Sequence, residues 1–347
     1  MGTFKQLDEQ KDIVICIEPS SVPLWSNNNP ILTDIVTGSS QVESDQGYFY
    51  INIHKETTDN PVEFSISYAH KYGSGSAQFN DLVDNQTPSK SLYSKYKNLI
   101  VRGSTIEDFY FGEDHTSEHF YILNIERSNY KEHLLPGSLS LKLTNSGDDL
   151  YLTDNSKKIS QPQHSNVGRL FQMVSGSLGT VHTGENAKGY SKDSGSYGWF
   201  LPDAGLILLN AEALDESSVN GGISLGTDTT NSESDWDSFD PNNSNSSKMF
   251  DAIDEGNSFI LNSEETLPST FVFVRVNNSE FNISNNPSFV DEEGNIIYDD
   301  FIQNPVTYIT TVGFYNDNND LLAVAKLSRP LPKNFTKEVL IRAKLNY

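Results

Sequence analysis

The chain is expected to be mainly β, built from antiparallel β-sandwich or barrel-like units with a few short helices and long loops. Three observations predict this. Hydrophobic residues make up only 36% of the 347 residues, yet 19 Phe and 16 Tyr are present, and aromatics bury large areas on pleated surfaces. Asn, Ser, Asp, Gly and Thr are in excess, which favours strands and long turns over helices. Short runs of period-two alternation recur between turn signals. The length exceeds one typical domain, so two or three folding units are expected.

In chain order, residues 13–17 form a short apolar strand in which Cys16, the single cysteine, reads as a small buried hydrophobe with no disulfide partner. Residues 18–38 contain Pro19, Pro23 and Pro30 and read as an irregular arm. Its Leu24, Trp25, Ile31, Leu32, Ile35 and Val36 would be costly to leave in water, so the arm is expected to lie on a core or on a neighbouring subunit. Residues 47–55 and 62–70 alternate as two strands joined by a turn at Asp59-Asn60-Pro61. The Gly/Ser-rich 71–77 reads as a turn, and 89–99 is the best helix of this half, with Leu92, Tyr96 and Leu99 at i, i+4, i+7.

Residues 107–112 and 119–127 are expected to pair, and 138–143 alternates Leu139, Leu141 and Leu143 with polar partners. A further strand and loop follow over 151–172, then an irregular Gly/Ser-rich connection over 175–196. Residues 205–209 predict a buried strand that Asn210 caps into a short helix. Residues 220–247 read as an exposed acidic insertion, followed by a helical turn at 248–254 and strands at 258–263 and 271–276. Residues 277–300 are expected to hold turns at 285–287 and 293–295. Strands 308–315 and 321–328 flank an exposed hairpin tip at Asn316–Asp320, and 339–347 alternates strictly, as a strand held in a sheet, within the chain or with another subunit. These readings divide the chain into an arm (1–40), a β domain (41–150), a loop-rich middle (151–255) and a C-terminal β region (256–347).

Charge narrows the function classes. A net charge of −23 argues against nucleic-acid binding, which needs a basic footprint. From Leu321 onward six cations face one anion, whereas 228–255 carries eight anions against Lys248, so oppositely charged segments are available to meet within or between subunits. No signal peptide or membrane-spanning run is expected, which implies synthesis in a cytoplasm.

Candidate chemistry is sparse. His115 and His119 flank Glu118 in an order that is not the zinc-helix motif, and a solvated turn is the stronger reading; His70, His164 and His182 read as isolated. Asp228, Glu233, Asp235, Asp237 and Asp240 lack the register of a calcium loop, and Asp317 and Asp320 fit turn chemistry. There is no nucleophile elbow, catalytic Cys signature or dinucleotide fingerprint, so no enzyme activity, catalytic residue, cofactor or metal is expected.

Several blocks carry a family likeness: 26–40 (SNNNPILTDIVTGSS), 67–76 (SYAHKYGSGS), 119–141 (HFYILNIERSNYKEHLLPGSLSL), 273–290 (FVRVNNSEFNISNNPSFV) and the closing TTVGFYNDNNDLLAVAKLSRPL. Together they resemble the virion structural proteins of contractile-tailed marine bacteriophages, notably those infecting cyanobacteria. The likeness is one of general pattern and transfers no functional residue. It implies a virion protein of the tail, in the baseplate or neck, whose partners are other virion structural proteins in a homo-oligomeric ring or symmetric assembly, without nucleic acid or membrane. On that expectation the assembly residues are Trp25, Ile31 and Leu32 of the arm with Arg329, Val339, Ile341, Arg342, Lys344, Leu345 and Tyr347 at the basic end. The alternative is a glycan- or receptor-binding tail protein with exposed aromatics stacking on sugars.

Overall fold

The computed structural model describes residues 4–38, 50–73, 89–100, 109–112, 116–183, 197–229, 242–284 and 286–346. The expectations for His115, Glu233, Asp235, Asp237, Asp240, Tyr347 and most of the two Gly/Ser-rich stretches fall outside those residues. The fold is mainly antiparallel β, with 47% strand against 18% helix. The chain forms two compact units, one of residues 20–265 and one of residues 1–19 with 266–347.

A one-turn helix α1 (Glu9–Asp12), its first turn capped by the Asp8 side chain, leads into β1 (Ile13–Pro23). The larger unit continues through β2 (Ile31–Leu32), β3 (Ile35–Gly38), β4 (Ile51–Lys55), β5 (Val62–His70), α2 (Ser89–Ile100), β6 (Phe109–Tyr110), β7 (Thr116–Ser117) and β8 (His119–Ile125). It goes on with β9 (His133–Leu134), β10 (Ser140–Asn145), β11 (Asp148–Asp154), β12 (Gln163–Ser165), β13 (Gly168–Ser177), β14 (Thr180–Val181), β15 (Gly198–Leu201), β16 (Leu206–Asn210), α3 (Ala211–Asp215), α4 (Asn242–Gly256) and β17 (Phe259–Ile260). Strand β18 (Asn262–Val276) carries the chain into the smaller unit, completed by α5 (Asp299–Gln303), β19 (Thr307–Tyr315), β20 (Leu321–Lys333) and β21 (Val339–Asn346).

One sheet organises the larger unit, in the order β2-β17-β10-β11-β13-β15-β16-β8-β5-β4-β3. Its two end strands are neighbours in sequence. β2 pairs with β17 and β3 pairs with β4, and only Thr33 and Asp34 lie between them, so the sheet curls into a nearly closed barrel with residues 31–38 as its seam. Asp34 takes φ +53° at the step, and its carbonyl accepts the Glu56 amide at 2.6 Å. The arm read as irregular is therefore the part that closes the barrel. Trp25 anchors it by donating its indole N–H to the Phe259 carbonyl at 2.7 Å and packing on Phe259 and Phe64. Glu63, fully buried, accepts the Ser26 amide and the Asn129 side chain, tying the start of the seam to β5.

Both sheet faces are covered, which explains why β8 and β16 are apolar in runs instead of alternating. Inside, Ile53, Phe64, Leu123, Leu141, Leu152 and Phe200 pack together with Met249, Ala252 and Ile253 of α4, which touches β10 and β5. Outside, Tyr93, Tyr96 and Ile100 of α2 join Phe109 and Phe111 over Phe120, Ile122, Trp199 and Leu208. Three expectations change here. Residues 109–110 pair with β7, because β8 is already bonded on both sides, to β5 and β16. Residues 242–247, placed in the acidic insertion, begin α4, where Asn245 exchanges hydrogen bonds with the Asp228 backbone. Asn210 stands at the N-cap of α3, but its side chain makes no capping bond.

In the smaller unit β1, β18 and β21 form a sheet in that order, and β19 and β20 form a hairpin. The terminal strand is held as expected, and its partner is the chain's own β18, in register from Ser269↔Asn346 to Val276↔Val339. Ile309, Val312, Leu327 and Leu331 of the hairpin pack on Val276, Val339 and Ile341.

Candidate assembly surface and a buried polar cluster

Strand β1 stands at one end of the β1-β18-β21 path of its sheet, in which β9 also pairs with β18. The hairpin core includes residues of β18 and β21 and none of β1, so the apolar run lies open: Val14, Ile15 and Ile17 are 47%, 70% and 72% exposed, and Cys16, expected as a small buried hydrophobe, is half-buried. Five consecutive residues, Ile13 to Ile17, carry no charge to block a neighbouring strand. Natural edge strands are usually blunted by charges, prolines or bulges; in β1 Glu18, Pro19 and Pro23 fall in the second half, so the uncharged apolar stretch 13–17 is the part that can template pairing.

The residues expected to mediate assembly separate into two groups. Trp25 and Leu32 are buried in the barrel core, with Ile31 beside them 41% exposed. Val339 and Ile341 are buried under the hairpin, and Leu345 is half-buried. Arg329, Arg342 and Lys344 are exposed. Arg342 and Lys344 lie 5.3 and 5.8 Å from the Phe271 ring, and Lys344 pairs with Glu18 of β1. The basic end is thus partly neutralised inside its own sheet. Lys333 is buried, its ammonium donating to the Asn278 and Asn334 carbonyls and to Asn282 Oδ1 at 2.7–2.9 Å, and desolvation lowers its pKa against the pull of Glu280 and Glu338. At the hairpin tip Asn316 Oδ1 accepts the amides of Asn318 and Asp320, and Asp317 to Asp320 are exposed, the turn chemistry expected there.

A second feature was hidden in the sequence. His70 and His119, read as isolated and as part of a solvated turn, are buried cross-strand partners at one end of the barrel, their rings 5.5 Å apart. Two rungs back, on the same face of the ladder, Tyr68 and Tyr121 face each other with rings 5.5 Å apart. Tyr121 and Asp215 both bond Thr227 Oγ1 at 2.8 Å, and His70 Nε2 lies 3.1 Å from Thr229 Oγ1, so residues 227–229 are stitched to β5 and β8. His119 Nδ1 has no hydrogen-bond partner among the described residues. Burial, helped by the neighbouring His119, depresses His70 to about 3, and burial depresses His119 to about 4, so both imidazoles are neutral at physiological pH. Burial pushes both tyrosines up and also raises Asp215. The legible signal was reciprocal: Tyr-x-His in one strand and His-x-Tyr in the other stack like on like when the strands run antiparallel.

Among the described residues no group of three or more His, Cys, Asp or Glu side chains is placed to hold a metal ion, and no helix is long and apolar enough to cross a membrane. Comparison with family models, with curated proteins and with solved structures finds no match to this chain.

Proposed function

We propose that this chain is a non-enzymatic structural subunit of a tailed-phage virion, in the baseplate or neck of the tail, that joins its neighbours by β-strand addition and charge complementarity. The observation that carries the reading is the apolar first half of β1, residues 13–17, at the edge of its sheet, with Val14, Ile15 and Ile17 open to solvent. Adding a strand there would satisfy a row of backbone groups and bury those side chains, each worth about 1.5–3 kcal/mol when fully covered. Exposed Arg329 and Arg342 supply positive charge on the same unit for an acidic neighbour.

The test is incorporation into particles. Deleting the terminal strand would not discriminate, because Val339 and Ile341 belong to the unit's own core. Ile15→Lys with Ile17→Lys changes only exposed positions. Particles assembled with this double variant are expected to lack the subunit while the isolated protein keeps its circular dichroism spectrum; normal incorporation would refute strand addition at β1.

A further inference from the structure

Lys333, the last residue of β20, is fully buried, and its ammonium faces the side chain of Asn282, itself only 5% exposed. The two residues stand 51 apart in the chain, and Lys333 Nζ donates to Asn282 Oδ1 at 2.7 Å. A hydrogen bond of that length to a carboxamide oxygen leaves the nitrogen within about 4 Å of the amide carbon, close to the distance at which an attack begins. The other two acceptors are the Asn278 and Asn334 carbonyls at 2.9 Å, so all three are neutral oxygens. A buried lysine is ordinarily paired with a carboxylate; this one is set against an electrophile.

The surroundings hold the two groups in place. Asn282 Nδ2 donates to the Asn278 carbonyl at 2.6 Å, which fixes the plane of the carboxamide. Thr307, the first residue of β19, pairs with Lys333 in the hairpin ladder and donates its hydroxyl to the Phe281 carbonyl at 3.1 Å, so one residue positions both the lysine and the turn that carries Asn282. Burial acts in the direction that frees the amine, because desolvation lowers the Lys333 pKa and outweighs Glu280 and Glu338, which act to raise it. Glu280, two residues before Asn282, is held by Lys5 and by the Asn277 amide, and its charge and that of Lys333 act on each other. The smaller unit has reason to be stapled: its core centres on three buried residues, Val276, Val339 and Ile341, and a chain with the single cysteine Cys16 cannot close a disulfide on itself.

We propose that Lys333 and Asn282 join in an intramolecular isopeptide bond, with Glu280 relaying the proton. Nζ of the neutral lysine attacks Cγ of Asn282; the Nζ–Cγ bond forms, the Cγ–Nδ2 bond breaks, one proton passes from Nζ to Nδ2 through the Glu280 carboxylate, and the departing nitrogen leaves as ammonia. Nothing is oxidised or reduced, and no co-reactant is consumed. The product ties the end of β20 to the turn after β18, and so fastens the hairpin to its sheet independently of how the unit meets its neighbours.

The test is mass spectrometry of the full chain, freshly purified and after prolonged incubation at mildly alkaline pH. The intact mass is expected to lie below that of the sequence by one ammonia, and tryptic digestion should yield a branched peptide that joins Asn282 to Lys333, with no cleavage after Lys333. The branch separates this product from a succinimide, which also loses ammonia but leaves every peptide linear. Lys333→Arg keeps the charge and Asn282→Ala removes the electrophile; each should retain the full mass and give linear peptides only. Glu280→Gln should slow formation about a hundredfold, the usual worth of a positioned proton carrier. A wild-type chain that keeps its full mass after incubation, an ammonia loss without the branched peptide, or the same loss in Lys333→Arg would overturn the proposal, and an unchanged rate in Glu280→Gln would overturn the relay.

Discussion

At the scale of single residues, the most consequential side chains are polar groups placed where water cannot reach. His70 and His119 make the clearest case. Each has a native pKa below the ordinary 6.5, at about 3 and about 4, so above pH 6.5 both states of the protein hold them neutral and nothing is lost. As pH falls below 6.5 the unfolded chain takes up their protons and the folded chain does not, so stability falls by about 1.4 kcal/mol per pH unit for each histidine until the native values are reached. Asp215 and Glu212, whose carboxyls burial raises, protonate earlier in the folded state and oppose that loss. The readout is therefore a comparison. His119→Phe removes one titrating ring whose Nδ1 has no partner among the described residues, so urea unfolding between pH 7.5 and 4.5 should show a shallower acid loss than wild type, by about 1.4 kcal/mol per unit. Identical slopes would mean that His119 titrates normally. Neither this pair nor buried Glu63 and Lys333 could be read as buried from sequence, because each draws its cover from elements distant in the chain: the segment at Thr227 and Thr229 for His70 and its neighbours, Ser26 and Asn129 for Glu63, Asn278 and Asn282 for Lys333.

At the scale of elements, local pattern was a good guide wherever an element's own periodicity decides its state. The expected helix at 89–99, the strand at 205–209, the closing hairpin and the terminal strand all stand within a few residues of their expected bounds. Partner choice was less legible. The 119–125 strand is bonded by 62–70 and 206–210, not by the nearer 109–110, since pairing follows the closure of the whole sheet. The proline-rich arm misled for the same reason. It lacks a long alternating run because it contributes only two residues to one end of the sheet and four to the other, yet those six make the seam. That role has a measurable consequence. Leu32 is buried against β17 and the interior, and Leu32→Ala is expected to cost about 2–5 kcal/mol, the usual range for a buried leucine. Because the seam closes the barrel, hydrogen exchange should also quicken together in β17 and β4, which bond to β2 and β3 respectively. A loss confined to the contacts of Leu32, with β4 protected as before, would show that closure does not depend on the seam.

At the scale of the molecule, the chain crosses twice between its units, within β1 and within β18, so the smaller unit is assembled from both ends of the sequence. Composition along the chain cannot display such a division, because the residues that complete the smaller sheet, 13–19, precede the barrel and the rest follow it. The two cores also differ greatly. The barrel interior spans strands from β2 to β17 together with α4, whereas the hairpin core has Val276, Val339 and Ile341 as its buried centre. Small cores are marginal, so urea unfolding of the full chain is expected to show two transitions, the first belonging to the smaller unit. A fragment of residues 20–265 contains the whole barrel sheet and its seam, and it should retain the second transition at an unchanged midpoint. Removing residues 1–19 should instead erase or advance the first transition, by taking the edge strand from β18, and leave the second in place. If the 20–265 fragment were unfolded, or the full chain melted in one transition by both tyrosine fluorescence and circular dichroism, the barrel would depend on the smaller unit for its stability, and strand exchange at β1 during assembly would then loosen the whole subunit.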